Sequence, residues 1–323
     1  MSKRPQISVG LPVYNGEKYL RVAIDSLLNQ DFQNFELIIA DNASTDATEQ
    51  ICRAYAAADP RVRYHRNATN IGSARNYARV FELARAQFFK WVAHDDYYYP
   101  SLLSRCYEVY GSAPASTVLV YPRVDLIDEQ GNVFGCAPDR VECRHKQPYH
   151  RLAHVLANVS YAYPVFGLAR TAVLRRTKLT GSVPYWDESL LAELALYGEI
   201  LEVPDVLWQQ RCHPGNAVAA AFTAQGHAGA SDPNKADRKT RRALRMWSDP
   251  HQRAPRIWLP GHEEHYWEFA KRVHHARLPM LEKTRCYLTV GRACVWSRVR
   301  KAGGKWKRTL AKHARAVLSQ EGI

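Results

Sequence analysis

Along the first hundred residues, continuous apolar runs alternate with segments whose apolar residues recur every three to four positions. ISVGLPVY (7–14) and FELIIADN (35–42) have too few polar positions for half-exposed strands and are predicted as strands covered on both faces. Between them, EKYLRVAIDSLLNQ (17–30) places Leu20, Ala23, Ile24, Leu27 and Leu28 at helical spacing. Ser44 and Asp46 open a second helix that runs to about residue 58, ahead of Pro60. RVRYHR (61–66) predicts a third strand, SARNYARVFELAR (73–85) a third helix and FFKWVAHD (88–95) a fourth strand. A βαβαβαβ series of this kind builds an α/β domain whose open sheet is mainly parallel, with helices on both faces.

From about residue 116 the rhythm changes. STVLVYPRVDLIDEQGNVFG reads as two strands around an Asp-Glu-Gln-Gly-Asn turn, and YPVFGLARTAVLRR as a strand running into a helix. SLLAELALYG (189–198) predicts a short amphipathic helix and VPDVLWQQRCH (203–213) a strand. The stretch after His213 is small, polar and Gly-rich, which predicts a loop or linker over 216–237. A basic helical extension is expected over 238–323.

In open sheets of this type, ligands bind outside the carboxyl ends of the strands. That rule selects four loops: Pro12–Gly16, Asp41–Asp46, Asn67–Arg75 and His94–Pro100. The last holds Asp95 and Asp96, adjacent carboxylates that repel each other and are costly to bury. A divalent cation removes that penalty. Mg²⁺ or Mn²⁺ takes one or two protein carboxylates and fills its other positions with water and substrate phosphate oxygens. The phosphate-cradling GxxxxGK[ST] loop is absent, so the pattern suggests a metal-bound diphosphate whose nucleotide lies across the first two strand loops.

The ordered set ISVGLPVYNGEKYLRVAIDSLLNQ, ELIIADNASTDAT, NIGSARNYA and WVAHDD resembles the nucleotide-sugar half of family 2 glycosyltransferases with the Rossmann-like GT-A fold, over roughly residues 5–215. The resemblance implies a GT-A domain over 1–215, with a nucleotide-sugar half to about 115 and an acceptor half from 116. It also implies a nucleoside pocket lined by Pro12, Tyr14 and Asn15, with Asp41 accepting from the base and Ser44 in the same loop. Asn70, Gly72 and Arg75 would close over the nucleoside. Asp95 and Asp96 take the place of an Asp-x-Asp motif that here reads His94-Asp95-Asp96, which implies Asp95 near the ribose and Asp96 on the metal. WDESLLAELALYG followed by RCHPGN resembles the acceptor-side pattern, with Asp187 as the first candidate for the base that inverting transfer needs; Glu188 and Glu193 are alternatives, and His213 would lie by the diphosphate or metal. A helix N-cap at Asp187 and a packed histidine at 213 are the plainer readings. The implied activity is metal-dependent transfer from a nucleoside diphosphate sugar, UDP or dTDP, to a hydroxyl on a glycan, glycolipid or small metabolite. A non-catalytic nucleotide-sugar or glycan-binding protein is the alternative, as is a nucleotidyltransferase, although LPVYNGEKY lacks the Gly-rich, Lys/Arg-containing first loop expected of one.

Charge adds one thing. From Lys235 onward there are 22 Lys or Arg against 7 Asp or Glu, so the whole excess behind the +14 net charge is C-terminal. KWKRTLAKHARAVLSQ puts Trp306, Leu310, Ala314, Val317 and Leu318 on one face with basic residues opposite, which suits either an anionic membrane interface or a helix packed on the body. No recognised nucleic-acid motif accompanies the charge. Without a signal-type apolar segment or a membrane-spanning run, a cytoplasmic location is expected, with peripheral contact at the inner membrane face as its companion. Seven cysteines without a CxxC pair predict reduced thiols rather than a disulfide frame or thiolate zinc site.

Overall fold

A computed structural model describes residues 4–181, 186–213 and 261–297. The expected linker over 216–237 and the basic helix after Gly304 lie outside the described residues. Nine strands among them form one mixed sheet: β1 (Ile7–Val13), β2 (Phe35–Asp41), β3 (Val62–Arg66), β4 (Phe88–Trp91), β5 (Tyr97–Tyr98), β6 (Thr117–Ile127), β7 (Val133–Cys136), β8 (Leu168–Arg170) and β9 (Glu199–Arg211). The order is β3-β2-β1-β4-β8-β6-β9-β5, with β7 pairing β6. β3, β2, β1 and β4 run parallel, as do β6 and β9, while β8 lies antiparallel between β4 and β6. The parallel series expected from the first hundred residues is therefore present, and a short antiparallel strand joins it to β6 and β9.

Alternation along the strands sorts the core into two layers. Ile7, Val9, Leu11, Leu37 and Ile39 face helices α1 (Leu20–Leu28), α2 (Thr48–Ala58) and α4 (Leu102–Ser112). Ile38, Ala40, Phe89 and Trp91 face α3 (Ser73–Glu82) and, beyond α5 (Pro148–Asn158) and α6 (Thr171–Leu174), α7 (Trp186–Tyr197). β1 and β2 are buried along their whole lengths, which is why their sequences show no polar alternation. The fourth strand ends at Trp91, earlier than its apolar run predicts, although Val92 N still donates to Gly10 O. That early end leaves His94–Asp96 in a loop rather than on a strand.

The expected amphipathic helix at 189–198 is instead α7, buried almost all round. One side meets the sheet, and the other meets α8 (Gly261–His275) and a helix over 280–297 through Ala192, Leu196, Phe269, Val273, Cys286 and Val290. A helix covered on both sides has no polar stripe to set a period. The C-terminal helices thus close the second core layer. All seven cysteines are free thiols, and among the described residues no helix is long and apolar enough to cross a membrane.

Candidate active site

The loops after β1 and β2 brace each other. Asn15 adopts a left-handed conformation (φ 49°), donates its N–H to Ser44 Oγ (2.9 Å) and accepts from Thr45 N at its Oδ1 (2.9 Å). Gly16 donates to Thr48 Oγ1, and a Cβ on it would meet His94 Cδ2 and Val13 Cγ2 at 2.6 Å each, so only glycine lets these loops approach. Pro12, Tyr14 and Asn15 line a cavity of about 740 Å³. Asp41 does not line it. Its side chain is fully buried, accepting from Ser44 N (2.8 Å), the Tyr64 hydroxyl (2.8 Å) and Arg66 (2.6 Å). Asp41 and Ser44 therefore stand behind the loop that faces the cavity.

The third loop is held by amides. Asn42 donates to Asn70 Oδ1 (2.8 Å) and accepts from Ile71 N (2.9 Å) and Asn67 Nδ2 (3.1 Å), while Asn76 reaches back to Ala40 O. Asn70 Oδ1 also accepts from Gly72 N, and Gly72 starts α3 at φ 86°, ψ 158°, a conformation open to glycine alone. Asn70 and Gly72 line the cavity, whereas Arg75 is exposed on the first turn of α3 outside its lining.

The carboxylate pair splits into two environments. Asp95 Oδ2 lies 2.9 Å from His213 Nε2, and both residues line the cavity. Burial pushes the Asp95 carboxyl up, but His94 and His213 outweigh it and leave it below the usual range. Asp96 is held from behind: Trp208 Nε1 donates to Oδ2 (2.8 Å) and Arg211 N to Oδ1 (3.0 Å). Burial first, then the Asp95 charge, hold Asp96 well above the ordinary carboxylate value. The guanidinium of Arg211 also donates to the carbonyls of Asp95, Asp128 and Glu129 and stacks on Tyr19, tying the β6–β7 turn to this floor. Trp208 packs over the fully buried Lys90, which donates to Phe166 O and which burial lowers to about 8.

Across the lining, Trp186 and Asp187 enter from the start of α7. Burial, and secondarily Glu188, raise Asp187 to about 7. Glu188 turns to α8, where its Oε2 meets His265 Nε2 at 2.9 Å. Glu193 is fully buried and ion-paired to Arg272 at 2.7 Å, outside the lining of this cavity. Of the three acidic candidates, only Asp187 faces the cavity.

Among the described residues no three His, Cys, Asp or Glu side chains converge as a closed metal cage. The Asp95 carboxylate and the His213 imidazole meet at the cavity with the Asp96 carboxyl beside them in the lining, which suits a cation that takes its other ligands from a diphosphate and water.

The model of glycosyl transferase family 2 matches residues 8–175, just over half the chain. The chain belongs to glycosyl transferase family 2. This family 2 chain is 33% identical over 143 residues to an uncharacterised glycosyltransferase of Rickettsia typhi, covering 44% of each. It is 24% identical over 224 residues to glycosyltransferase GlyG of Streptococcus pneumoniae serotype 4, covering 67% of this chain and 74% of that one. The matches span between 20% and 44% of the length of the Rickettsia relatives. Its fold is similar to that of S. aureus TarS residues 1–349 in complex with UDP-GlcNAc, with a TM-score of 0.58 at 18% identity over 87% of this chain and 70% of that one. The same TarS fragment in complex with UDP gives 0.51 at 17% identity over 91% of each chain.

The residues that position Asp96 and Glu188 were not legible as site residues. Trp208 and Arg211 read as ordinary strand positions, and His265 lies 77 positions beyond Glu188. Asn42 lies in the loop after β2 that the sheet rule selected and could have been found there, whereas Asn76 sits inside α3, past the loop that rule picks out.

Proposed function

We propose that this family 2 chain transfers a sugar from a nucleoside diphosphate sugar, with UDP or dTDP as the nucleotide, to a hydroxyl acceptor with inversion. The observation that carries this reading is that Asp187, raised to about 7, lines the same cavity as the Asp95–His213 pair and the loop Pro12–Asn15. The nucleoside lies along Pro12, Tyr14 and Asn15, under the amide-braced loop of Asn70 and Gly72. Asp41 acts on it indirectly, through Ser44 and the loop it supports. The complex of TarS with UDP-GlcNAc, a protein of the same fold, favours a uridine-type donor.

In the transfer, the acceptor oxygen attacks the anomeric carbon, the bond from that carbon to the diphosphate breaks on the opposite face, and Asp187 takes the hydroxyl proton. A carboxylate poised near neutrality can hold that proton transiently and release it to solvent. Tyr161, Tyr163 and Trp186 offer flat apolar faces against which the C–H face of a sugar ring can pack. Asp95 and His213 would hold a Mg²⁺ or Mn²⁺ ion, which, when bound, neutralises charge on the leaving diphosphate. Asp96, expected from the sequence to hold the metal, also lines the cavity, but its two oxygens already accept from Trp208 Nε1 and Arg211 N, so the metal contact goes to Asp95 instead. The acceptor is a glycan, glycolipid or small metabolite.

Thermal shifts with UDP, dTDP and GDP, each with and without Mn²⁺, test the donor half. A rise with one nucleotide that Mn²⁺ enlarges, lost in Asp95→Asn, supports the reading, and no rise with any nucleotide refutes it. Nucleotide binding with no donor hydrolysis or transfer in either the parent or Asp187→Asn would identify a binding protein instead.

A further inference from the structure

The helix over 280–297 has two faces of opposite function. Cys286 and Val290 point inward, against Leu152 of α5, Ala192 and Leu196 of α7 and Phe269 and Val273 of α8. At 100° per residue, Leu281, Leu288 and Val295 lie within about 20° of the opposite face, with Trp296 and Met280 about 80° to either side of it and Tyr287 about 100° round. Five of these, all but Tyr287, are between 57% and 78% exposed, and Tyr287 is 38% exposed. Leu281, Leu288 and Val295 recur every seven residues, two helical turns apart, so they form a continuous stripe rather than scattered positions. Thr284 and Gly291, which fill the gaps in the stripe, are exposed as well. A solvated helix normally turns its polar side outward, and this one turns a second apolar side outward while its first is already packed.

One edge of the stripe is basic. Arg285 and Arg292 project between Leu281 and Trp296, Lys283 lies toward the packed side, where its Nζ donates to His274 O, and Glu282 is the sole acidic residue between 280 and 297. Glu282 is already taken by Arg285 at 2.9 Å. A second copy laid on this stripe would bring arginine against arginine with no glutamate to match them, the reverse of the charge pairing that flanks self-associating helices. An anionic lipid surface matches both features at once. Apolar side chains enter to the acyl boundary, Trp296 and Tyr287 sit at headgroup depth on the flanks, and the arginines beside Trp296 reach phosphate. The concentration of Lys and Arg in the last third of the chain adds to the same attraction.

We propose that the outer face of the helix over 280–297 docks this protein on an anionic phospholipid bilayer, lying in the interface plane. The inference is independent of the donor-site chemistry, and it assigns the contact to a helix that is integral to the folded body. A membrane seated there holds α8 and α7 close to the lipid surface, which places the Asp187 end of the cavity on a body anchored where lipid-linked acceptors are found.

The test uses the full chain and extruded vesicles, either pure phosphatidylcholine or phosphatidylcholine with about a third phosphatidylglycerol, read by co-sedimentation. Binding to the anionic vesicles and not the neutral ones is expected, with a drop at high salt. In Leu288→Glu/Val295→Glu, whose sites are solvent-exposed and whose melting temperature and circular dichroism should match the parent, the partition coefficient falls by about tenfold or more. A milder variant, Trp296→Phe, should lose the vesicle-induced blue shift of that indole while keeping most of the binding. Equal binding by the double Glu variant and the parent overturns the proposal and assigns membrane contact to another segment. Absence of binding to anionic vesicles overturns it too. A concentration-dependent dimer that the double Glu variant abolishes, without vesicle binding, would make a second copy the occupant.

Discussion

Replacing Arg272 by methionine tests whether the C-terminal helices are structural partners of α7, the helix that carries Asp187, or an appendage. Arg272 is 1% exposed and its partner Glu193, on α7, is fully buried. Their contact is 2.7 Å; Arg272 also donates to Leu179 O at 2.8 Å, and Glu193 also accepts from Lys178 N at 3.1 Å. Methionine fills much of the volume but leaves a buried carboxylate with one backbone donor. Breaking a buried pair from one side costs about 3–5 kcal/mol, a large share of a total near 5–15 kcal/mol. Glu193→Gln leaves Arg272 an amide oxygen, Leu179 O and, at 3.9 Å, Glu268 Oε1, and should cost less, about 1–3 kcal/mol. Arg272→Met/Glu193→Gln removes both charges and should recover to within about 1–2 kcal/mol of the parent, because the desolvation cost disappears with the attraction. Urea unfolding followed by tryptophan fluorescence, with all four proteins at one ionic strength, gives the coupling energy. Single-variant losses below about 1 kcal/mol, or a double variant equal to the sum of the singles, would refute the view that this pair pins α8 to α7. The same series separates structure from chemistry. If Glu193 only holds the helix, the double variant keeps the parent's pH profile at reduced stability.

Further outcomes can be checked on the same protein. Asp187→Asn should lower kcat by about two to four orders of magnitude while leaving nucleotide affinity within a few-fold, measured by donor turnover and calorimetry. Since Asp187 must be ionised to act as a base, the parent's rate should climb as pH rises through about 7; Glu188→Gln should move that limb to lower pH, still above the usual carboxylate range because burial is the larger cause. The raised value also makes Asp187's share of stability fully present below its unfolded pKa of about 4 and lost as pH rises through about 7, so the melting temperature of Asp187→Asn should vary less with pH across that window. Gly72→Ala, forced to φ 86°, should lose about 1–3 kcal/mol and weaken nucleotide binding, seen as a lower melting temperature and a smaller nucleotide-induced shift. His213→Ala should abolish the Mn²⁺-dependent part of that shift and leave the metal-free part intact.

Most of the first half was legible because its information is local. Apolar runs such as FELIIAD and helical spacing such as Leu20, Ala23, Ile24 and Leu27 are set by burial on a sheet and on one helix face, and both leave a period in the chain. The rule that ligands sit at strand carboxyl ends then selected Pro12, Asn15, Asn70, Asp95 and Asp96 before any contact was visible. Helices α4 and α5 went unread, as did the true character of α7, whose two covered sides erase the polar stripe a reader relies on.

What the chain by itself determined is the alternation of elements, the loops that carry polar chemistry and the family those motifs belong to. Tertiary structure alone decided which of the acids face the cavity. Asp187, Glu188 and Glu193 differ little as residues, yet one lines the cavity, one meets His265 and one is buried on Arg272. Asp95 and Asp96 are likewise neighbours in sequence, and only the partners supplied by β9, Trp208 and Arg211 against His213, separate their roles. A carboxylate's function depends on its desolvation and on which donors surround it. Those donors come from more than a hundred residues away for the Asp pair and from a separate helical layer for α7, so no local pattern could have encoded them.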